Sequence, residues 1–393
     1  MFGSSDRRVR RGVRRWVALR TESGGDTIRR AVTRDFYRRD LINGISTTFN
    51  DSSIDSLSYT YDALSRPTAR NSDVFDYNER GEVVFSRRDA ESAEDTYAYD
   101  NIGNLQIAIF NSVTNTYTAN NLNQYTSILR FSDPPRETSH DLDGNLTSDG
   151  FFSYSYDAAN RLASVSSNGI TLVANQYDYR GRRIRKTTST AETTFVYDGW
   201  HLVYEHEAVG DVTNETFYCW GNDLSGTLQG AGGVGGLLYL KRNGTIYVPH
   251  ADAYGNILRY TDTTGNVVAE YTYDAFGNLI SKSGPLADVF CFRFSTKYYD
   301  SDTGLYYYGY RFYSPALMRW LNRDPIEEDG GLNLYGFCEN NSILNIDVLG
   351  NERNEVPIDA YFYKLFANCN HNQQNAKPPS SPKRLSHGGV SFV

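Results

Sequence analysis

One pattern constrains this chain more than any other: Tyr-x-Tyr-Asp-x-x-Gly-Asn/Arg-Leu, repeated in tandem. It is plainest in "YTYDALSRPTAR" from Tyr59, "YAYDNIGNLQI" from Tyr97, "YSYDAANRLASV" from Tyr154 and "YTYDAFGNLISK" from Tyr271. Looser copies fill the intervals, about ten in all, mostly 16 to 22 residues apart. The two tyrosines of each unit are two residues apart, so in a strand both rings face the same side. The aspartate opens a turn, where its carboxylate accepts hydrogen bonds from backbone N–H groups further on. The glycine or asparagine that follows tolerates the positive φ of a tight turn. Each unit is therefore expected to be a strand, a turn and a strand. Single hairpins are marginal, so the units must stack edge to edge into one long antiparallel sheet. On this reading Tyr61, Asp62, Tyr99, Asp100, Tyr156, Asp157, Tyr273, Asp274 and Gly277 are structural. The same Asp in every copy points to a turn cap and away from a catalytic pair.

Composition fits thin, half-buried strands. The 393 residues include 31 Tyr but only 2 Met, and the mean hydropathy is −0.54. The net charge of −8 is uneven: residues 1–40 carry twelve Arg against five acids, an excess of +7. Residues 1–50 are expected to be a basic, poorly ordered leader, with no nucleic-acid partner, since no aromatic interleaving or recognition motif accompanies the arginines. Cys219, Cys291, Cys338 and Cys369 form no CxxC pair and no histidine stands at zinc-ligand spacing, so neither metal nor cofactor is expected. No stretch of 18 apolar residues marks a transmembrane segment, and the Arg-rich start lacks the apolar region of a signal peptide. Between Val209 and Gly244 the repeat lapses into "LQGAGGVGGLLYLKRNG". This stretch lacks the GK[ST] of a phosphate-binding loop and reads as a specialised repeat.

Near the C-terminal end stand "YYDSDTGLYYYGYRFYSPALMRWLNRDPI" and "GGLNLYGFCENNSILNIDVLG". With the tandem units, these lines resemble the YD repeats and repeat-associated core domain of RHS proteins, of the teneurin-like and polymorphic-toxin type. The resemblance implies an all-β fold: a spiralling antiparallel sheet of YD hairpins forming a partial hollow shell, plugged by the core domain. The shell would take residues 51–270, the core 271–350, and a variable, largely flexible tail 351–393. The implied role is an encapsulating shell, at the cell surface or secreted, that displays or cages a C-terminal segment in intercellular competition or toxin delivery. Its partners would be other shell segments or a delivery protein. A lumen built from roughly 200 strand residues would hold on the order of 5,500 Å³, room for ~40 residues. That suits the tail but not a toxin domain, so the chain reads as the C-terminal part of a longer shell or as a degenerate copy of one.

Some members of this family are aspartyl autoproteases that cut just after Asp-Pro-x-Gly-Leu. Such chemistry needs two carboxylates sharing a proton, one as acid and one as base. Arg323-Asp324-Pro325 matches the family's Arg-Asp-Pro, which makes Asp324 the first catalytic candidate, with Arg323 to hold its carboxylate charged or to orient the scissile carbonyl, and Asp329 as the nearest second acid, with Glu327 and Glu328 also close. The cleavage border reads Asp347-Val348-Leu349-Gly350-Asn351, with Val for Pro and Asn for Leu, and would be cut between Asn351 and Glu352. A third reading is a surface module whose tyrosine-rich sheet stacks carbohydrate.

Overall fold

The computed structural model describes residues 10–20, 27–36, 41–49, 52–88, 94–110, 112–130, 134–351 and 353–355. Among these there is no α-helix and no helix able to cross a membrane, only strands and three 3₁₀ turns. Twelve strands from Arg10–Arg20 to Arg136–Glu137 form one antiparallel sheet, and fourteen from Ser139–His140 to Leu279–Ser283 form a second. Each strand pairs with the next in chain order, and a single residue, Thr138, separates the two sheets. The result is an up-and-down meander with one break, at Thr138, as tandem hairpins require.

Two expected boundaries shift. Residues 1–50 are not simply a leader: Arg10–Arg20, Thr27–Phe36 and Ile42–Phe49 are strands that continue the sheet N-terminally. Residue 271 lies inside the repeat sheet, since Val267–Tyr273 pairs with Leu279–Ser283. The tail beyond Glu355 lies outside the described residues.

The repeat works as a unit with three fixed bonds. At Asp100, Oδ1 accepts the N–H groups of Ile102 (2.9 Å) and Asn104 (2.8 Å), while Oδ2 accepts Asn104 Nδ2 at 2.8 Å. Asp157 repeats this with Arg161 Nε at 2.8 Å and Asp62 with Arg66 Nε at 2.6 Å. The consensus Asn or Arg is thus the carboxylate's side-chain partner. At Asp274 burial pushes the carboxyl up to about 6, against the opposing pull of Asn278. Between the two stands the turn residue with positive φ, +87° at Gly103 and +84° at Gly277.

The register slips by one residue at the second tyrosine of each unit, for example between Thr60 and Tyr61 and between Ala98 and Tyr99. This bulge frees a backbone carbonyl from the ladder. The hydroxyl of the next unit satisfies it. Tyr77 Oη donates to Pro67 O (2.7 Å), Tyr99 to Val83 O (2.9 Å), Tyr177 to Leu162 O (2.6 Å), Tyr197 to Arg183 O (2.8 Å) and Tyr273 to Ile257 O (2.9 Å). Tyr61 and Tyr156 make the same bond to Ile42 O (2.7 Å) and Leu146 O (3.0 Å). Where the repeat lapses, Trp220 substitutes, its Nε1 donating to Leu202 O at 2.7 Å. The first tyrosines, Tyr59, Tyr97, Tyr154 and Tyr271, are buried in one core with residues 284–350. Rings that would stack a sugar are therefore packed instead.

Residues 284–350 form the plug, packed in one core with both large sheets, with a small sheet from Tyr298–Asp300 to Arg319–Trp320. The plug meets the shell at a row of turns. In eight turns the carbonyl of the positive-φ residue accepts a plug side chain. Gly81 takes Asn341, Gly103 takes Asn340, Asn123 takes Arg319, Gly144 takes Tyr335, Asn160 takes Asn322, Gly181 takes Tyr307, Gly255 takes Thr296 and Gly277 takes Tyr306. The left-handed residue turns its carbonyl out of the ladder, so the tight turns of the repeat also build the socket. The tyrosine-rich segment supplies several of the pins.

The meander also closes on itself. Tyr59 Oη accepts the N–H of Ala253 at 3.0 Å, Arg70 Nη1 reaches Asp252 Oδ2 at 2.5 Å, and Arg259 Nη1 donates to Ile54 O at 2.7 Å. Contacts nearly 200 residues apart in sequence thus complete one turn of the spiral.

Candidate catalytic site

A buried charge cluster centres on Arg311, in the turn between strands Leu305–Tyr307 and Phe312–Ser314. Its guanidinium is buried over the Trp320 ring, 4.3 Å from the centroid. Nη2 lies 2.6 Å from Asp324 Oδ2 and 3.6 Å from Asp347 Oδ2, Nη1 donates to Leu334 O at 3.3 Å, and Nε donates to the carbonyl of Gly350. Two carboxylates thus reach one nitrogen, which sets their nearest oxygens no more than about 6 Å apart.

Their surroundings differ. Asp324 makes the short ion pair, and its Oδ1 accepts the N–H of Ile326 at 3.1 Å. A methyl on Gly330 would stand 2.9 Å from its Oδ2, so the neighbouring glycine is a steric condition of the site. Asp347 is buried, and its Oδ1 accepts the N–H of Gly350 at 2.5 Å. Burial pushes its carboxyl up to about 6, with Asp324 adding to the rise and Arg311, the Gly350 N–H and Lys297 pulling the other way. Burial also holds Arg311 below its usual range despite the two acids. Carboxyls in unlike settings are how one site comes to hold an acid and a base together. Both line a cavity of about 260 Å³, whose far wall comes from Glu82 and Gly103 of the repeats.

The border segment passes through the same place. Gly350 has φ +83°, and a side chain there would press on Arg311 N at 3.1 Å. The short strand Arg353–Glu355 turns back to pair with Asn345–Asp347, with Arg353 opposite Asp347. Asn351 is half-buried at the turn, and Glu352 lies outside the described residues.

The sequence candidates divide. Asp324, Asp347 and Gly350 come together. Asp329 is exposed on the 3₁₀ turn Glu327–Gly330 and is not among the residues lining the cavity, so adjacency in sequence misjudged it. Arg323 is exposed and lines a second cleft, of about 480 Å³. The guanidinium expected from Arg323 comes from Arg311. The carboxyl that shares Arg311 with Asp324 is Asp347, the first residue of the border motif, a signal present in the sequence. Arg311 had none beyond its place in the tyrosine-rich run.

The model of the teneurin YD-shell family matches residues 26–343. A tRNA nuclease, WapA of Bacillus subtilis, is 32% identical over 265 residues, covering 64% of this chain and 10% of the relative. Double-stranded DNA deaminase toxin A of Burkholderia cenocepacia is 27% identical over 300 residues, covering 69% of this chain and 20% of the relative. The chain spans about a tenth of the length of the WapA proteins it matches. Among solved structures, the crystal structure of TcdB2-TccC3-TEV superposes with a TM-score of 0.52 at 17% identity, over 85% of this chain and 21% of that one, which is a likeness of fold.

Proposed function

The chain belongs to the teneurin YD-shell family, and on that premise we propose that it forms the closing end of an encapsulating shell that cages the segment beyond residue 351. The observation that carries this is the row of eight turn carbonyls engaged by the plug, because such a joint seals one rim of the spiral. Two relatives named for toxic activities, a tRNA nuclease and a DNA deaminase toxin, share this segment. That supports a place in toxin delivery or intercellular competition, with further shell segments or a delivery protein as partners. Limited trypsin digestion tests the cage. Lys364 and Arg384 are expected to resist cleavage in the native chain and to be cut at once after unfolding. Rapid clipping at both while the shell stays intact would contradict it.

A second reading rests on the Arg311 cluster: cutting in cis at the Asn351–Glu352 bond. Water in the cavity gives a proton to Asp324 and its oxygen bonds to the Asn351 carbonyl carbon. The C–N bond then breaks as the acid form of Asp347 protonates the departing nitrogen. Arg311, through Nε, keeps the Gly350 carbonyl in place beside the pair. Cutting is expected to vanish in Asp324→Asn and Asp347→Asn and to persist in Asp329→Asn. Unchanged cutting in the first two would refute this reading.

A further inference from the structure

The glycine-rich residues 228–236, just before the strand Leu237–Arg242, have no part in the shell ladder, yet their backbone is closely fixed. Asp223, itself buried, accepts the N–H of Ala231 (2.7 Å) and of Gly233 (3.1 Å) on Oδ2, and the N–H of Ser225 (3.0 Å) on Oδ1. Gly235 N donates to Thr296 Oγ1 at 2.9 Å. The loop so formed presents Gly232, at φ +59°, to the backbone of Val348. A Cβ on Gly232 would stand 2.0 Å from the Val348 oxygen and 2.7 Å from its carbonyl carbon. Only glycine permits that approach.

Lys297 joins the same two strands of chain. Its buried Nζ donates to Gly232 O at 3.0 Å and to Val348 O at 2.5 Å. The next two carbonyls are also held: Leu349 O accepts the N–H of Tyr310 at 2.9 Å, and Gly350 O accepts Arg311 Nε. Three successive carbonyls just before Asn351 are therefore each bound to a fixed donor.

We infer that the loop Gln229–Gly236, with Lys297, is the seat of the cleavage segment, a clamp that positions residues 348–350 by their backbone and not by their side chains. The inference rests on the self-cleavage reading for its purpose, though the seat itself is a matter of contacts. It gives a physical reason why a border with Val348 and Asn351, in place of proline and leucine, is still presented to the acids: a carbonyl can be gripped whatever side chain precedes it. Gly232 and Lys297 are positioning residues in this scheme.

The test compares Gly232→Ala with Gly210→Ala. Gly210 has the same backbone hand, φ +57°, but a Cβ there meets nothing within 4 Å, so it controls for strain alone. Two readouts are taken on the full chain: the rate and position of cutting by intact mass, and deuterium uptake of the peptide spanning 345–351 in an Asp324→Asn background. Gly232→Ala is expected to slow cutting about a hundred-fold, the cost of a misplacement of roughly 1 Å, to spread it over neighbouring bonds, and to raise uptake at 345–351. Gly210→Ala should do none of these. Lys297→Met, which removes the donor without adding bulk at the loop, should also slow cutting and raise uptake. If uptake and cutting in Gly232→Ala match those in Gly210→Ala, the seat is refuted. If the wild-type chain is never cut, the protease reading fails, and the uptake contrast alone then decides the seat.

Discussion

Asp300→Asn is expected to destabilise the joint between plug and shell by about 3–5 kcal/mol, the usual cost of removing one partner from a buried ion cluster. Asp300 sits at the end of the first plug strand, and its carboxylate takes Arg183 Nη1 at 2.9 Å and Lys186 Nζ at 2.7 Å, both from the shell strand Arg183–Thr187. Arg183 and Asp300 are each only 1% exposed. At an effective dielectric of about 20, each pair is worth roughly 6 kcal/mol of gross attraction, much of it offset by desolvation. Asparagine leaves Arg183 facing a neutral group inside the joint and Lys186 with only the more exposed Asp302, 2.6 Å away. The Arg183 guanidinium also lies within 4.9 Å of the ring centroids of Phe195, Tyr298 and Tyr307, so it cannot swing out to water without breaking aromatic packing. Urea unfolding followed by tryptophan fluorescence, to which Trp320, buried in the plug, contributes, measures the loss. The triple replacement Arg183→Met, Lys186→Met, Asp300→Leu should recover most of it, since apolar groups of similar volume commonly equal a buried ionic cluster. Burial opposes ionisation of Asp300, but the two cations outweigh it and hold its carboxyl below the ordinary value. Its stabilisation is therefore complete above pH 3.8 and is lost as pH falls below that through the folded value. A loss under about 1 kcal/mol in Asp300→Asn, the range of exposed pairs, would refute the reasoning.

Two further outcomes follow from particular residues. With Asp347 as the acid, its carboxyl half-ionised near pH 6, the rate of self-cleavage should fall about ten-fold for each pH unit above that point; a rate that is flat from pH 5 to 8 would remove Asp347 from the role. Gly277→Ala should cost about 1–2 kcal/mol for the left-handed backbone and about 1–3 more for overpacking, because a Cβ would stand 2.6 Å from the Phe294 ring; a melting temperature within a degree of wild type would contradict this.

Much of the fold was legible because its signals are local. Tyr-x-Tyr fixes a face, Asp opens a turn and Gly accepts the left-handed position, all within nine residues. The consensus also held a message that local reading passed over. The Asn or Arg after the glycine is the second half of a side-chain pair, as Asn104 is to Asp100. The basic start was harder, because counting arginines hides the strand that Arg10–Arg20 forms. The site was less legible still. Asp324 announced itself by its neighbours, but its partner Asp347 lies 23 residues on, across a plug whose path no periodicity reveals. Arg311 stands among tyrosines and looks architectural until its fork is seen on two acids and a carbonyl. Asp329 was favoured by proximity along the chain, which a 3₁₀ turn undoes by placing it at the surface. The glycine-rich loop lacked a motif because it serves a contact between backbones, and no side-chain signature exists for that.

The self-cleavage reading, on which the inferred seat rests for its purpose, is that Asp324 and Asp347, gathered by Arg311, cut the chain just after Asn351. The most direct measurement is the intact mass of freshly purified protein held at pH 5.5, taken as a time course for wild type and for Asp347→Asn. The account expects wild type to resolve into two masses that divide after Asn351, at a rate independent of protein concentration, while the variant stays whole. A single full-length mass in both, or the same two fragments in both, would contradict it.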